Sequence, residues 1–220
     1  LYFYPKDKTP SMVMHNTTIT QTNIRIPANQ ERYKDSAYLA FPKDAILYSA
    51  FFHAHYRGEA AQMDILYPDG KRKILAALPK YDFNWQREYD FAEPVKIPAG
   101  SKLITTYTYN NSKRNPANPD PSREVPWGEQ SFDEMLYTQL RYRWADETSK
   151  TPVTYDKLLA AGRVMGSLDA NLDNKIEKAE LRGSMGKSLE PRFATLDVNR
   201  DGALDGAELA AVASSRRSNH

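Results

Sequence analysis

The sequence predicts a multidomain chain: an antiparallel, jelly-roll-like β-sandwich over residues 1–148, then a small all-α pair over residues 149–220. Three observations carry this. Up to about residue 147, Tyr, Phe, Ile, Thr and Val are plentiful and turn residues recur, the pattern of short strands in a sandwich. After Thr148-Ser149-Lys150-Thr151-Pro152 the period changes, and Tyr155, Leu158, Leu159, Val164, Met165 and Leu168 keep roughly helical spacing. Two acidic loops of equal length then interrupt the helical region, over 169–180 and 197–208.

Each element follows from its local pattern. Ile24-Arg25-Ile26 alternates before Pro27. The run from Ala45 to His55 reads as one long, largely buried strand. Ile65-Leu66-Tyr67 and Ile74-Leu75 flank Pro68-Asp69-Gly70, a hairpin turn whose glycine can adopt positive φ. Ile97-Pro98-Ala99-Gly100 turns the chain into Leu103–Tyr109, and a last strand-like segment runs from Met135 to Trp144. Residues 110–130 are rich in Pro and Asn. A loop of that length is either functional or a solvated excursion.

Composition excludes several classes. The 40% hydrophobic content suits a folded globular protein rather than a disordered one. No stretch approaches the ~18 consecutive apolar residues of a membrane span. The net charge of +2, with basic residues scattered, argues against nucleic acid. The absence of cysteine removes disulfides, zinc fingers and thiol nucleophiles. The chain opens Leu1-Tyr2-Phe3-Tyr4, without a Met start or a signal peptide, and reads as a mature or processed fragment.

The two acidic loops have calcium spacing. Asp197, Asn199 and Asp201 supply side-chain oxygens at loop positions 1, 3 and 5, Gly202 permits the sharp turn, and Ala203 offers its carbonyl. Asp205 stands at position 9, and Glu208 closes the loop with two oxygens. Asp169, Asn171, Asp173, the Lys175 carbonyl, Glu177 and Glu180 fill the same roles in the first loop. There Asn174 replaces the glycine, a residue that tolerates the left-handed conformation at some cost. Ile176 and Leu204 occupy equivalent positions and are expected to pair. This is an EF-hand pair for two calcium ions. Sensors of this type expose a Met-rich groove. Only Met165 and Met185 are available here, which favours a structural role.

Two of the four histidines fall as His53-Ala54-His55. Side chains at i and i+2 of a strand share a face about 7 Å apart, so two imidazoles can converge on one metal. Zinc hydrolase sites add a third His or a carboxylate, and a thioether favours Cu(I). His15 is a rival third nitrogen, and spacing alone nominates no methionine.

Phe52-His53-Ala54-His55-Tyr56-Arg57-Gly58 resembles the His-x-His strand of the copper type II, ascorbate-dependent monooxygenases, the family of peptidylglycine α-hydroxylating and dopamine β-monooxygenases. Gly128-Glu129-Gln130-Ser131-Phe132-Asp133-Glu134-Met135 resembles the segment carrying the family's methionine ligand. Ile24-Arg25-Ile26-Pro27-Ala28 and Val95-Lys96-Ile97-Pro98-Ala99-Gly100 sit where the family has strand-turn signals. The likeness spans about residues 15–145, the family's C-terminal catalytic subdomain, and is nearest to bacterial members. It implies one copper ion held by His53, His55 and Met135, O2 activation for C–H hydroxylation of an organic substrate, electrons from ascorbate or a partner protein, and a secreted or periplasmic setting.

There are departures. The family's second copper sits on three His of an N-terminal subdomain that is missing here, with only His15 and His220 left to serve it. In the peptide-amidating branch an Arg two residues before the first His helps grip the peptide carboxylate, where this chain has Phe51. The Asn two residues after the Met is Tyr137. A peptide carboxylate is therefore not the expected substrate. The alternatives are a non-catalytic metal-binding or scaffold module stabilised by calcium, and a Tyr-rich sandwich that binds carbohydrate or peptide.

Overall fold

A computed structural model describes residues 5–215 of the chain. The strands in chain order are β1 (His15–Thr20), β2 (Arg25–Ile26), β3 (Tyr33–Ala40), β4 (Ala45–His53), β5 (Gly58–Leu66), β6 (Arg72–Leu78), β7 (Glu88–Ile97), β8 (Lys102–Tyr109), β9 (Val125–Pro126) and β10 (Tyr137–Trp144). Two four-stranded antiparallel sheets result, in the orders β1-β10-β4-β7 and β3-β8-β5-β6. Setting aside the short β2–β9 ribbon, this interleaving is the double Greek key of a jelly roll. The expected β-sandwich is therefore present.

The strands form where alternation lets one face be buried. Leu47, Phe52, Leu140, Tyr142 and Trp144 from the first sheet meet Leu39, Met63, Ile65, Leu103, Tyr107 and Tyr109 from the second. The expected hairpin closes at Gly70, whose φ of 82° lies in the left-handed region that glycine occupies without strain. Leu66 pairs with Arg72 across it. The strands β3 and β7 were not singled out in the sequence, although Tyr89, Phe91, Val95 and Ile97 of β7 alternate toward the core. Ala37, Tyr38 and Leu39 of β3 are all buried because both faces of the strand are covered.

The second cover is the C-terminal segment: α1 (Asp156–Leu168), β11 (Ile176–Glu177), α2 (Gly183–Leu189), α3 (Phe193–Leu196), β12 (Ala203–Leu204) and α4 (Gly206–Ser215). The expected all-α module is corrected in two respects. β11 and β12 pair antiparallel through Ile176 and Leu204. The two middle helices are only seven and four residues long, joined by a 3-10 turn at Glu190–Arg192. Pro191 in that turn lacks the N–H an α-helix needs.

The apolar cluster of this segment takes in two residues of the sandwich. Met165, Leu168, Ile176, Phe193, Leu196, Leu204 and Leu209 cluster with Tyr38 of β3 and Ile104 of β8. Helix α1 lies close on β3, because Gly162 and Gly166 stand one turn apart on one face. A Cβ at Gly166 would fall 1.7 Å from the Tyr38 carbonyl oxygen.

That contact predicts a large effect from a small change. Gly166→Ala must lift α1 from β3 and is expected to destabilise the chain by about 1–3 kcal/mol, the usual range for overpacking. Urea unfolding measures it. Because the clusters share β3 and β8, one cooperative transition is expected for both variant and parent.

Candidate metal centre

The histidine pair lies on the outer face of the first sheet. Phe52 enters the core, so its neighbours Phe51 and His53 point away from it. The ladder between β4 and β10 ends at the pair His53–Tyr137. His55 therefore lies beyond the strand, where a strand through residue 55 was expected.

The reason is that the backbone donors of this segment turn to buried side chains. His53 N–H donates to the Tyr107 hydroxyl at 3.2 Å, and Ala54 N–H to the Tyr81 hydroxyl at 2.9 Å. The Tyr81 O–H donates in turn to the Ala54 carbonyl. His55 N–H donates to Glu134 Oε1 in a very short contact. Burial pushes the phenol of Tyr107 far above its ordinary range and that of Tyr81 likewise, so both remain neutral donors.

The two imidazoles converge all the same. Their ring centroids are 5.0 Å apart at 88°. They line an open cavity of ≈ 610 Å³ together with Met135, Phe51, Phe83, Gln86, Trp127 and Tyr137. His53 Nδ1 contacts Gln86 Oε1 at 2.5 Å, which leaves Nε2 as the nitrogen a metal would take. His55 Nδ1 faces the Asp133 carbonyl at 3.4 Å. Burial, and then the adjacent His53, hold the His55 imidazole below its ordinary pKa, favouring the neutral form that ligates.

Glu134 sits under this site. It is fully buried. Oε1 accepts N–H from both His55 and Met135, and Oε2 accepts the Arg57 N–H at 3.0 Å. Burial pushes its carboxyl up to about 7, against the pull of those three donors and of the Arg57 charge. The Arg57 guanidinium is itself buried and donates to Asn111 Oδ1, the Phe132 carbonyl and the Asp120 carbonyl. Asn111 further donates to the Pro27 and Arg123 carbonyls. Asn111 thus anchors the 110–130 segment on Arg57, while Lys113, Arg114, Pro116, Ala117, Pro119 and Asp120 are exposed.

The other histidines lie elsewhere. His15 is in contact with Glu147 and stacks on Tyr142. It is opposite Tyr142 on β10, five positions along the strand from Tyr137, or roughly 17 Å at the usual rise per residue. His220 falls outside the described residues. Gln86, Phe83 and Trp127 were not foreseen as parts of the site, and nothing in their spacing marks them. Among the described residues, no three His, Asp or Glu side chains stand gathered as a metal-binding group, those of the two acidic loops included. The His–His–Met set differs in kind, since its third donor is a thioether.

Residues 10–151 match the family described as copper type II ascorbate-dependent monooxygenase, C-terminal domain. The chain belongs to this family. No curated protein matches it. Among solved structures, infectious bursal disease virus VP2 (the D431N mutant) is 12% identical with a TM-score of 0.32, over 69% of this chain and 37% of that one. A family 35 carbohydrate binding module from an environmental isolate is 11% identical with a TM-score of 0.26, over 60% and 84%. Likeness at this level carries no argument. The family's copper fits the donors present here: two neighbouring imidazoles, one with its Nδ1 engaged, and a thioether on the same cavity.

The two acidic loops share a set of backbone-to-carboxylate hydrogen bonds. The backbone N–H of position 6 donates to the carboxylate of position 1 in both, Asn174 to Asp169 at 2.9 Å and Gly202 to Asp197 at 3.1 Å. Asn174 and Gly202 are both left-handed, with φ of 69° and 89°. Asp173 and Asp201 N–H donate to Asn171 and Asn199 Oδ1, and Lys175 and Ala203 N–H to Asp173 and Asp201 Oδ1. Glu180 accepts from Ala170 and Glu177, as Glu208 does from Val198 and Asp205. Polar contacts tie the first loop to the sandwich. The Tyr38 O–H donates to Asp169 Oδ2 at 2.5 Å, and buried Lys102 donates to the Leu172 carbonyl, with its Nζ 3.9 Å from Asp169 Oδ2.

The buried tyrosine that ends the histidine strand can be tested directly. Tyr81→Phe leaves the Ala54 N–H and carbonyl without that partner, and is expected to cost about 1–3 kcal/mol. Chemical denaturation of the two proteins side by side gives the value.

Proposed function

We propose that residues 10–151 hold one copper ion through His53, His55 and Met135 and activate O2 there to hydroxylate a C–H bond of an organic substrate. The observation that carries this reading is the convergence of both imidazoles with Met135 on one open cavity of the family's domain. When bound, copper supplies the redox chemistry and a coordination position for oxygen. The chain's own residues do the rest. Gln86 orients the His53 ring, Tyr107 and Tyr81 hold the backbone beneath it, and Phe51, Phe83, Trp127 and Tyr137 wall the cavity. No Lys or Arg is among the described residues lining it. This supports a substrate that needs no cationic anchor, in keeping with Phe51 in place of the amidating branch's Arg. Electrons come from ascorbate or a partner protein, and the setting is secreted or periplasmic.

Anaerobic copper titration followed by oxygen uptake with ascorbate tests this. Copper-dependent uptake coupled to oxidation of an added organic substrate is expected. Tight copper binding without turnover would instead establish the non-catalytic module. Met135→Ile should keep Cu(II) on the two imidazoles yet weaken Cu(I) roughly tenfold or more, because the soft thioether prefers the reduced ion. His15→Ala should leave both affinities unchanged.

For residues 149–220 we propose an EF-hand pair holding two calcium ions, through Asp169, Asn171, Asp173, Lys175 and Glu180, and through Asp197, Asn199, Asp201, Ala203 and Glu208. The hydrogen bonds the two loops share and the Ile176–Leu204 pairing support it. The shared apolar cluster with β3 and β8 supports a stabilising role. Calorimetry should resolve one site lost in Glu180→Gln and the other in Glu208→Gln. The second loop should bind more tightly, since Gly202 adopts its turn without strain where the first loop has Asn174. Unchanged stoichiometry in both variants would rule out both sites.

A further inference from the structure

We infer that Glu134 positions the methionine half of the copper site against the histidine half. The inference rests on the His53–His55–Met135 reading and adds to it the residue that sets the spacing.

The two halves come from different segments. The imidazoles stand at the end of β4, and Met135 lies just before β10. The register of β4 on β10 ends at His53–Tyr137. Continued by two residues on each strand, it would bring His55 opposite Met135. A ladder there would draw the two backbones to normal strand spacing and close the gap between the side chains. It does not form. Glu134 Oε1 takes both N–H donors, that of His55 and that of Met135. One oxygen atom thus bridges the residues that carry two of the three proposed ligands. The other oxygen holds the Arg57 N–H, on the far side of Tyr56. The carboxylate is sealed from water, and the nearby guanidinium is spent on Asn111, Phe132 and Asp120 rather than on Glu134. Among the described residues, the His55 and Met135 N–H groups are the donors to the bridging oxygen. The backbone of Glu134 is also fixed, its N–H donating to the Pro126 carbonyl and its carbonyl accepting from Gly128.

Glu134 touches no reacting atom, so its signature must be sought in the Cu–S contact and not in turnover. Glu134→Gln keeps the volume but turns one carboxylate oxygen into an NH2, which cannot accept. One group of backbone donors then loses its partner, and the bridge loosens. The expected result is a folded protein that binds Cu(II) with nearly parental affinity through the two imidazoles. Cu(I) affinity should fall about tenfold, the size typical of lost support behind a metal ligand. The sulfur contribution to the X-ray absorption spectrum of the Cu(I) form should weaken or lengthen. A double-mutant cycle isolates the cause: in the Met135→Ile background, Glu134→Gln should have no further effect on Cu(I). Should the amide variant fail to fold, Glu134→Asp, which keeps the charge and every acceptor but shortens the arm, carries the same measurements.

The outcomes separate cleanly. If Met135→Ile alone leaves Cu(I) affinity unchanged, the His–His–Met reading falls. If Met135→Ile weakens Cu(I) but the Glu134 variant leaves the affinity and the sulfur signal intact, the positioning role falls and the site stands. If the Glu134 effect persists in full without the thioether, the residue acts on the fold or the histidines, and the inference is overturned.

Discussion

A carboxylate taken wholly out of water costs several kcal/mol unless its lone pairs and charge are answered. Glu134 meets that demand with three backbone N–H donors and the neighbouring charge of Arg57. The geometry of the whole rim follows. The donors belong to His55, Arg57 and Met135, so satisfying the carboxylate settles the paths of two segments nearly eighty residues apart in sequence. Arg57 carries the constraint outward. Its guanidinium needs acceptors of its own and finds them in the 110–130 segment and at Phe132. A Pro- and Asn-rich stretch with the two residues of β9 in regular structure is anchored in this way, from a buried guanidinium upward.

The opposite face of the sandwich obeys a different constraint, that of close backbone approach. Two glycines on one side of α1 let the helix rest on β3, and Tyr38 then reaches from the strand to the first acidic loop. Lys102 buries its stem beneath that loop, with its ammonium over the Tyr38 ring at 4.6 Å and bonded to the Leu172 carbonyl. Burial holds the Lys102 pKa below its ordinary value, against the pull of Asp169. The histidine cavity lies on the outer face of one sheet and the acidic loops against the outer face of the other. One jelly-roll core supports both.

A jelly roll by itself says little about chemistry, since the same architecture serves capsids, lectins and enzymes. What distinguishes this one is local. The ladder between β4 and β10 is cut short at the point where two imidazoles emerge, and aromatic walls without a cation surround them.

The sequence by itself determined what depends on neighbours in the chain. The hairpin at Gly70, the turn at Gly100, the loops at 169–180 and 197–208 and the paired histidines were all legible, because each rests on local φ preference, side-chain period or ligand spacing. The sandwich class followed from the same alternation. The β3 strand was not legible, because burial on both faces erases alternation. The end of β4 at His53 and the roles of Gln86 and Glu134 were hidden too, as was the docking of α1 on β3. Met135 was reached only through family likeness. These features depend on contacts between residues thirty to one hundred and thirty positions apart, where a donor's partner is chosen by the packed core. No pattern in the chain records which carboxylate will answer which N–H, and only the tertiary structure decided it.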